Sequence, residues 1–129
     1  MYMLDTNTVS YLFRQHPKVM EKLAQTRPVE VCISSITEAE LLYGVAKRKS
    51  KPLTAAVQGF LETVSVYPWD SEAAKTYGQL RAAMEKQGKV MGQFDQLIAA
   101  HALSRNATMV TSDRAFAMVG SLPVEDWTL

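Results

Sequence analysis

The stretch Met1–Phe13, "MYMLDTNTVSYLF", decides how the chain is read. Three strand-forming residues, Tyr2, Met3 and Leu4, run straight into Asp5, Thr6, Asn7 and Thr8. Asp disfavours a continuing strand, and a carboxylate set hard against an apolar run is costly to bury unless something pairs with it or binds it. The segment therefore predicts a short strand that stops at Asp5, followed at once by a helix over "NTVSYLF". Asp5 either caps that helix or meets a group brought from elsewhere in the fold.

The same alternation continues outward. "HPKVMEKLAQ" reads as a helix with Pro17 suited to its first turn, and "VEVCIS" as a second strand. Ser34 or Ser35 caps a helix over "ITEAELLYGVAKR", with Glu38 three residues after Ser35 in a capping-box pattern. A helix over 52–63 carries Leu53, Val57, Phe60 and Leu61 on one face, and "VSVYPW" is extended. Asp70 caps "SEAAKTYGQLRAAMEKQG", where Ala73, Tyr77, Leu80 and Met84 recur at helical spacing and Gly88 ends the run. "FDQLIAAHALSRN" forms another helix ended by Asn106, "TMVT" a strand, "DRAFAMV" a helical turn or two, and "PVEDW" a closing strand. Short strands alternating with longer helices predict an α/β fold, and the length predicts one domain over 1–129.

Composition sets the outer bounds. With 47% hydrophobic residues the chain can bury a core without disulfides or a structural metal. Fourteen Lys and Arg against thirteen Asp and Glu leave a net charge of +1, so no partner follows from overall charge. The single cysteine, Cys32, excludes an internal disulfide, suits a reducing compartment and reads as a small core residue. No basic leader and no apolar run of about 18 residues is present, which predicts a cytoplasmic protein without a membrane segment.

Four acids stand in unexpected places. Asp5 follows an apolar strand, Asp95 opens "DQLIAAHAL", Asp113 follows "MVTS", and Glu40 shares a helix stripe with Ile36 and Tyr43 while Glu38 points elsewhere. Singly, Asp5, Asp95 and Asp113 read as helix caps and Glu40 as half of an ion pair. Together they read differently, because an open α/β sheet gathers residues from the carboxyl ends of its strands in one crevice. Carboxylates collected there repel one another, and a divalent cation is the simplest compensation. Oxygen ligands suit Mg²⁺ or Mn²⁺; Cys32, His16 and His101 form no cluster spaced for zinc.

Such a site without a P-loop or G-x-G-x-x-G motif favours metal-assisted phosphodiester hydrolysis. Thr6, Asn7 and Thr111 are the candidate orienting groups, with turn formation and capping as the structural alternative. The densest basic run, Lys47, Arg48, Lys49 and Lys51, is a candidate phosphate contact or a solvated helix end; Arg81, Lys86, Lys89, Arg105 and Arg114 could add to it. His101 sits among Ala100, Ala102 and Leu103 and reads as a packed or surface residue rather than an acid–base group.

"MLDTNTVSYL", "ISSITEAELLYG", "GQFDQLIAAHAL", "MVTSDRAF" and the closing "VEDW" together resemble the PIN-domain ribonucleases, most closely the VapC-type toxins of bacterial toxin–antitoxin pairs. The resemblance runs nearly end to end. It implies a three-layer α/β/α fold around a mainly parallel sheet and Mg²⁺- or Mn²⁺-dependent endoribonuclease activity, with a structured RNA such as a tRNA anticodon loop as substrate. It places metal-site roles on Asp5, Glu40, Asp95 and Asp113, with Thr6 or Asn7 and Thr111 as polar helpers. It further implies a homodimer and a VapB-type antitoxin whose C-terminal segment fills the groove, in a complex that binds promoter DNA through the antitoxin. Gln93 and Asp113 depart from the family pattern, which often has Pro or a small residue and Asn there. Two other readings fit less well. A phosphoacceptor receiver domain needs a pair of acids near its start and a late Lys after a strand, and neither is present; an inactive PIN-fold binding module would lack acids that this chain retains.

Overall fold

The computed structural model describes residues 1–129. Its elements run β1 (Tyr2–Leu4), α1 (Thr6–Phe13), α2 (Pro17–Gln25), β2 (Val31–Ser34), α3 (Ser35–Arg48), α4 (Lys51–Thr63), β3 (Ser65–Tyr67), α5 (Ser71–Lys86), α6 (Gln93–Ser104), β4 (Thr108–Val110) and β5 (Val124–Glu125). Short 3₁₀ turns at Pro28–Glu30 and Arg114–Met118 join α2 to β2 and lead on from β4. All four strand pairings are parallel, in the order β3-β2-β1-β4-β5.

Strand alternation separates two cores. Met3, Cys32 and Met109 face α5 and α6, packing with Met84, Ile98 and Phe116. Their neighbours Leu4, Ile33 and Val110 face the other way, against Val9 of α1, Val19 of α2, Leu41 of α3 and Val57 of α4. Successive strand side chains point to opposite faces, so each short strand serves both layers. Helices on both sides of a parallel sheet make the three-layer α/β/α arrangement. Cys32 lies within the first core, and burial pushes its thiol up to about 11.

Most helix boundaries fall where the caps predict them. Asp70 accepts the Ala73 N–H at 3.0 Å, and Gly88 leaves α5 with φ +70°, a conformation that costs glycine little. One assignment changes at α3. Ser34 is the cap, its Oγ accepting from Ile36 N at 3.1 Å, and Ser35 is already helical. The Ser35–Glu38 capping box therefore does not form; Ser35 Oγ instead accepts the Trp69 N–H at 3.0 Å and ties α3 to the segment after β3.

The strand order places the site. It changes direction between β1 and β4, whose connections leave to opposite sides of the sheet, and the crevice opens at their carboxyl ends. Asp5 follows β1 and Thr111 follows β4.

Candidate active site

Asp5 is only 2% exposed, and both its oxygens are held. Oδ1 accepts the Thr8 N–H at 2.8 Å, so Asp5 caps α1, while Oδ2 accepts the Thr111 hydroxyl at 2.6 Å from across the β1–β4 seam. The Asp5 N–H also continues the sheet, donating to Val110 O at 3.1 Å. Burial raises the Asp5 pKa; the bonds from Thr111 and Thr8 lower it, and the nearby Asp113 raises it further. The net shift is upward, so the hydroxyl and amide only partly offset the loss of water.

Thr111 joins two acids. Its Oγ1 donates to Asp5 and accepts the Asp113 N–H at 3.0 Å, while Asp113 Oδ1 accepts from Ala115 N at 2.9 Å and starts the 3₁₀ turn. Asp113 is thus a cap, as its position predicts, and also a charge beside Asp5.

Glu40 arrives from α3. Its Oε1 accepts the Thr6 hydroxyl at 2.6 Å, with Thr37 Oγ1 3.4 Å from that hydroxyl. The predicted apolar stripe around Glu40 divides, Ile36 packing against the first core while Tyr43 is 64% exposed. Glu40 forms no ion pair; the chain's two salt bridges are Arg81–Glu85 and Arg105–Asp70. The ion-pair alternative for Glu40 is therefore set aside.

Asp95 is the third residue of α6, not its cap, because Gly92 takes that place without a side chain to bond the first amides. Unlike Asp5 it has no hydrogen-bonded partner within the protein to offset its surroundings. Burial is the largest influence, and repulsion from Asp113, Asp5 and Glu40 adds to it, so the Asp95 carboxyl is pushed up to about 6. A helix N-terminus normally favours the charged form, so burial and the neighbouring acids together outweigh it here. No three Asp, Glu, His or Cys side chains stand close enough to hold a metal ion in common.

The remaining candidates divide. Thr6 and Thr111 each bond a carboxylate, whereas Asn7 is exposed on the wall of a neighbouring cleft. Of the basic run, Arg48 lines that cleft; Lys47 lies 5.7 Å over the Tyr43 ring, Lys49 is the left-handed cap of α3, and Lys51 begins α4. Arg81 is engaged by Glu85 and Arg105 stacks 4.4 Å over Tyr67, which takes both guanidinium groups away from the acids. Arg14 in the Asn7 cleft escaped the reading of the sequence, although Asn7, Ser10 and Arg14 are spaced three and four apart and share a helix face. Thr37, fully buried beside Thr6, escaped it too, since a lone threonine in a helix carries no signal.

The PIN domain model matches residues 2–122. The chain is a PIN-domain protein of the VapC ribonuclease type. It is 39% identical over 129 residues to the tRNA(fMet)-specific endonuclease VapC of Shigella flexneri, covering 98% of both chains. Its fold superimposes with a TM-score of 0.87 on VapBC2 from Rickettsia felis bound to a DNA fragment from its promoter, at 36% identity and 98% coverage of each chain. DNA-bound VapBC from Salmonella typhimurium matches with a TM-score of 0.89 and 37% identity, over 98% of this chain and 97% of that one. Membership in this nuclease family sets aside the receiver-domain reading. No helix of the VapC-type chain is long and apolar enough to cross a membrane.

Proposed function

We propose that this VapC-type protein is a divalent-metal-dependent endoribonuclease that hydrolyses phosphodiester bonds in structured RNA, with a tRNA anticodon loop as target and arrest of translation as consequence. The observation that carries this reading is the gathering of Asp5 after β1, Asp113 after β4, Glu40 of α3 and Asp95 of α6, the first three adding to the burial that pushes Asp95 up to about 6. The donor set is entirely oxygen, which fits Mg²⁺ or Mn²⁺. Asp5, Glu40, Asp95 and Asp113 would hold the ion by drawing together around it, since no three of them stand within common reach of one point without it; when bound, it would supply Lewis-acid activation of water and of the phosphoryl oxygens.

The chain's own residues do the positioning. Thr8 and Thr111 fix both oxygens of Asp5, and Thr6 fixes one oxygen of Glu40, so two carboxylates are oriented before RNA arrives. Asn7 is placed to contact substrate at the cleft edge. Lys47, Arg48, Lys49 and Lys51 attract the phosphate backbone without reading sequence. Hydrolysis then adds water across one P–O bond of the backbone.

The family comparisons support a toxin with a VapB-type antitoxin partner, in a complex of the kind that binds promoter DNA; to this the reading adds a cytoplasmic, homodimeric, single-domain protein held inactive by that antitoxin, which carries the DNA contact. The test pairs induction in a bacterial host with incubation of purified protein and total RNA. Growth arrest, and cleavage that needs Mg²⁺ or Mn²⁺ and stops with EDTA, are expected. Undiminished cleavage by Asp5→Ala and Asp95→Ala proteins would overturn the site.

A further inference from the structure

Two unneutralised arginines share a cleft with Glu40. The hollow, about 340 Å³, is lined on its polar side by Thr6, Asn7, Ser10, Arg14, Glu40 and Arg48. Arg14 is held at the end of α1, its Nε donating to Ser10 O at 3.4 Å and its guanidinium lying 4.7 Å over the Tyr11 ring. Neither Arg14 nor Arg48 takes part in an ion pair, although a carboxylate lines the same cleft.

The acid cluster itself repels a polyanion, so a nucleic acid needs cations close by to approach it. In the hollow beside the start of α6 both cations are engaged. There Arg81 is bonded to Glu85 at 3.0 Å, and Lys89 Nζ donates to Met118 O at 3.2 Å. Arg14 and Arg48 are the two guanidinium groups that line one cleft with Glu40 and take no ion pair.

The geometry points to Arg14 and Arg48 as a phosphate clamp that holds the RNA backbone on the α1–α3 side of the acids and sets which bond lies over them. Guanidinium groups grip phosphate oxygens through paired N–H donors, which fixes position more sharply than a lysine does. Such a grip carries no base information and acts through affinity and register. This inference rests on the ribonuclease reading above.

The test measures binding of fluorescently labelled, unfractionated bacterial tRNA by anisotropy across a salt series. Asp95→Asn protein is used so that no substrate is consumed. Arg14→Ala and Arg48→Ala, each added to it, are expected to weaken binding severalfold and to flatten the slope of log K against log salt by about 0.7–0.9 for each phosphate no longer neutralised. Arg14→Lys should keep the slope, because the charge remains. In proteins retaining Asp95, the alanine variants should raise KM more than they lower kcat and shift the pattern of cleavage products. Slopes unchanged in both alanine variants, or flattened equally by Lys75→Ala on α5, would overturn the clamp while leaving cleavage intact. Absence of both tRNA binding and cleavage in the parent protein would instead overturn the ribonuclease reading, and the clamp with it.

Discussion

Two strands deliver a buried polar pair each, and the pairs have different fates. At the end of β1, Asp5 bonds Thr111; at the end of β2, Ser34 lies 2.8 Å from His101 Nδ1. All four side chains are almost wholly buried. Around Asp5 the neighbours are acids, and their repulsion reaches Asp95. Around His101 the charges are of opposite sign: burial, then Arg105, lowers its pKa while Asp70 raises it, and Nε2 has no hydrogen-bond partner. Burial of a polar group therefore does not by itself mark a site. What marks it is uncompensated like charge, which a protein keeps at a cost in stability and an ion can relieve.

The largest expected effect lies on the acid side of this contrast. Asp95→Asn should reduce RNA cleavage to background in a gel assay, while the ion-free protein becomes more heat-stable at pH 7. A less stable variant would mean that the acids are not in conflict.

Thr111→Val keeps shape and removes the hydroxyl that orients Asp5. Cleavage should fall about 10- to 100-fold. Little change in rate would make Thr111 a packing residue, equivalent to Ser34.

The same conflict has a pH signature. In the folded protein Asp95 titrates near 6 instead of 3.8, so between those values the native state binds the extra proton. Its contribution to stability is present in full below the unfolded pKa and is lost as pH rises through about 6. Thermal melts in EDTA should show this decline in the parent but a shallower one in Asp95→Asn, and added Mg²⁺ should reverse it. A flat profile would remove the evidence for crowded charge.

On the His101 side the effects are smaller. His101→Leu exchanges the ring and its unpartnered nitrogen for an apolar side chain; stability should change by about 1–2 kcal/mol, with cleavage per folded molecule unchanged. Loss of cleavage in folded protein would bring His101 into the reaction. Smallest of all, Cys32 should resist a thiol reagent at pH 8 until the protein unfolds, and Cys32→Ser should retain activity.

The acids were legible because each breaks a local rule, as a charge beside an apolar strand or at a helix start, and the strand-end position was legible from punctuation alone. Caps one residue apart were not. Ser34 and Ser35 present the same hydroxyl, and only the approach of Trp69 assigns them different partners. Asp95 looked like a cap because an acid at a helix start usually is one; here Gly92 begins the turn earlier and leaves Asp95 facing the other acids. The basic run looked like one patch, but helical rotation sends Arg48 to the cleft and Lys47 over Tyr43.

By itself the sequence determined the α/β alternation and the four acids, since these follow from side-chain chemistry at fixed spacing along a chain. Tertiary structure alone decided that β4 lies beside β1, which carries Thr111 to Asp5 across 106 residues of sequence. It also decided which cations are free, because pairing depends on which helices the sheet brings side by side. Local spacing sets what each residue can do, and the strand order sets which of them meet.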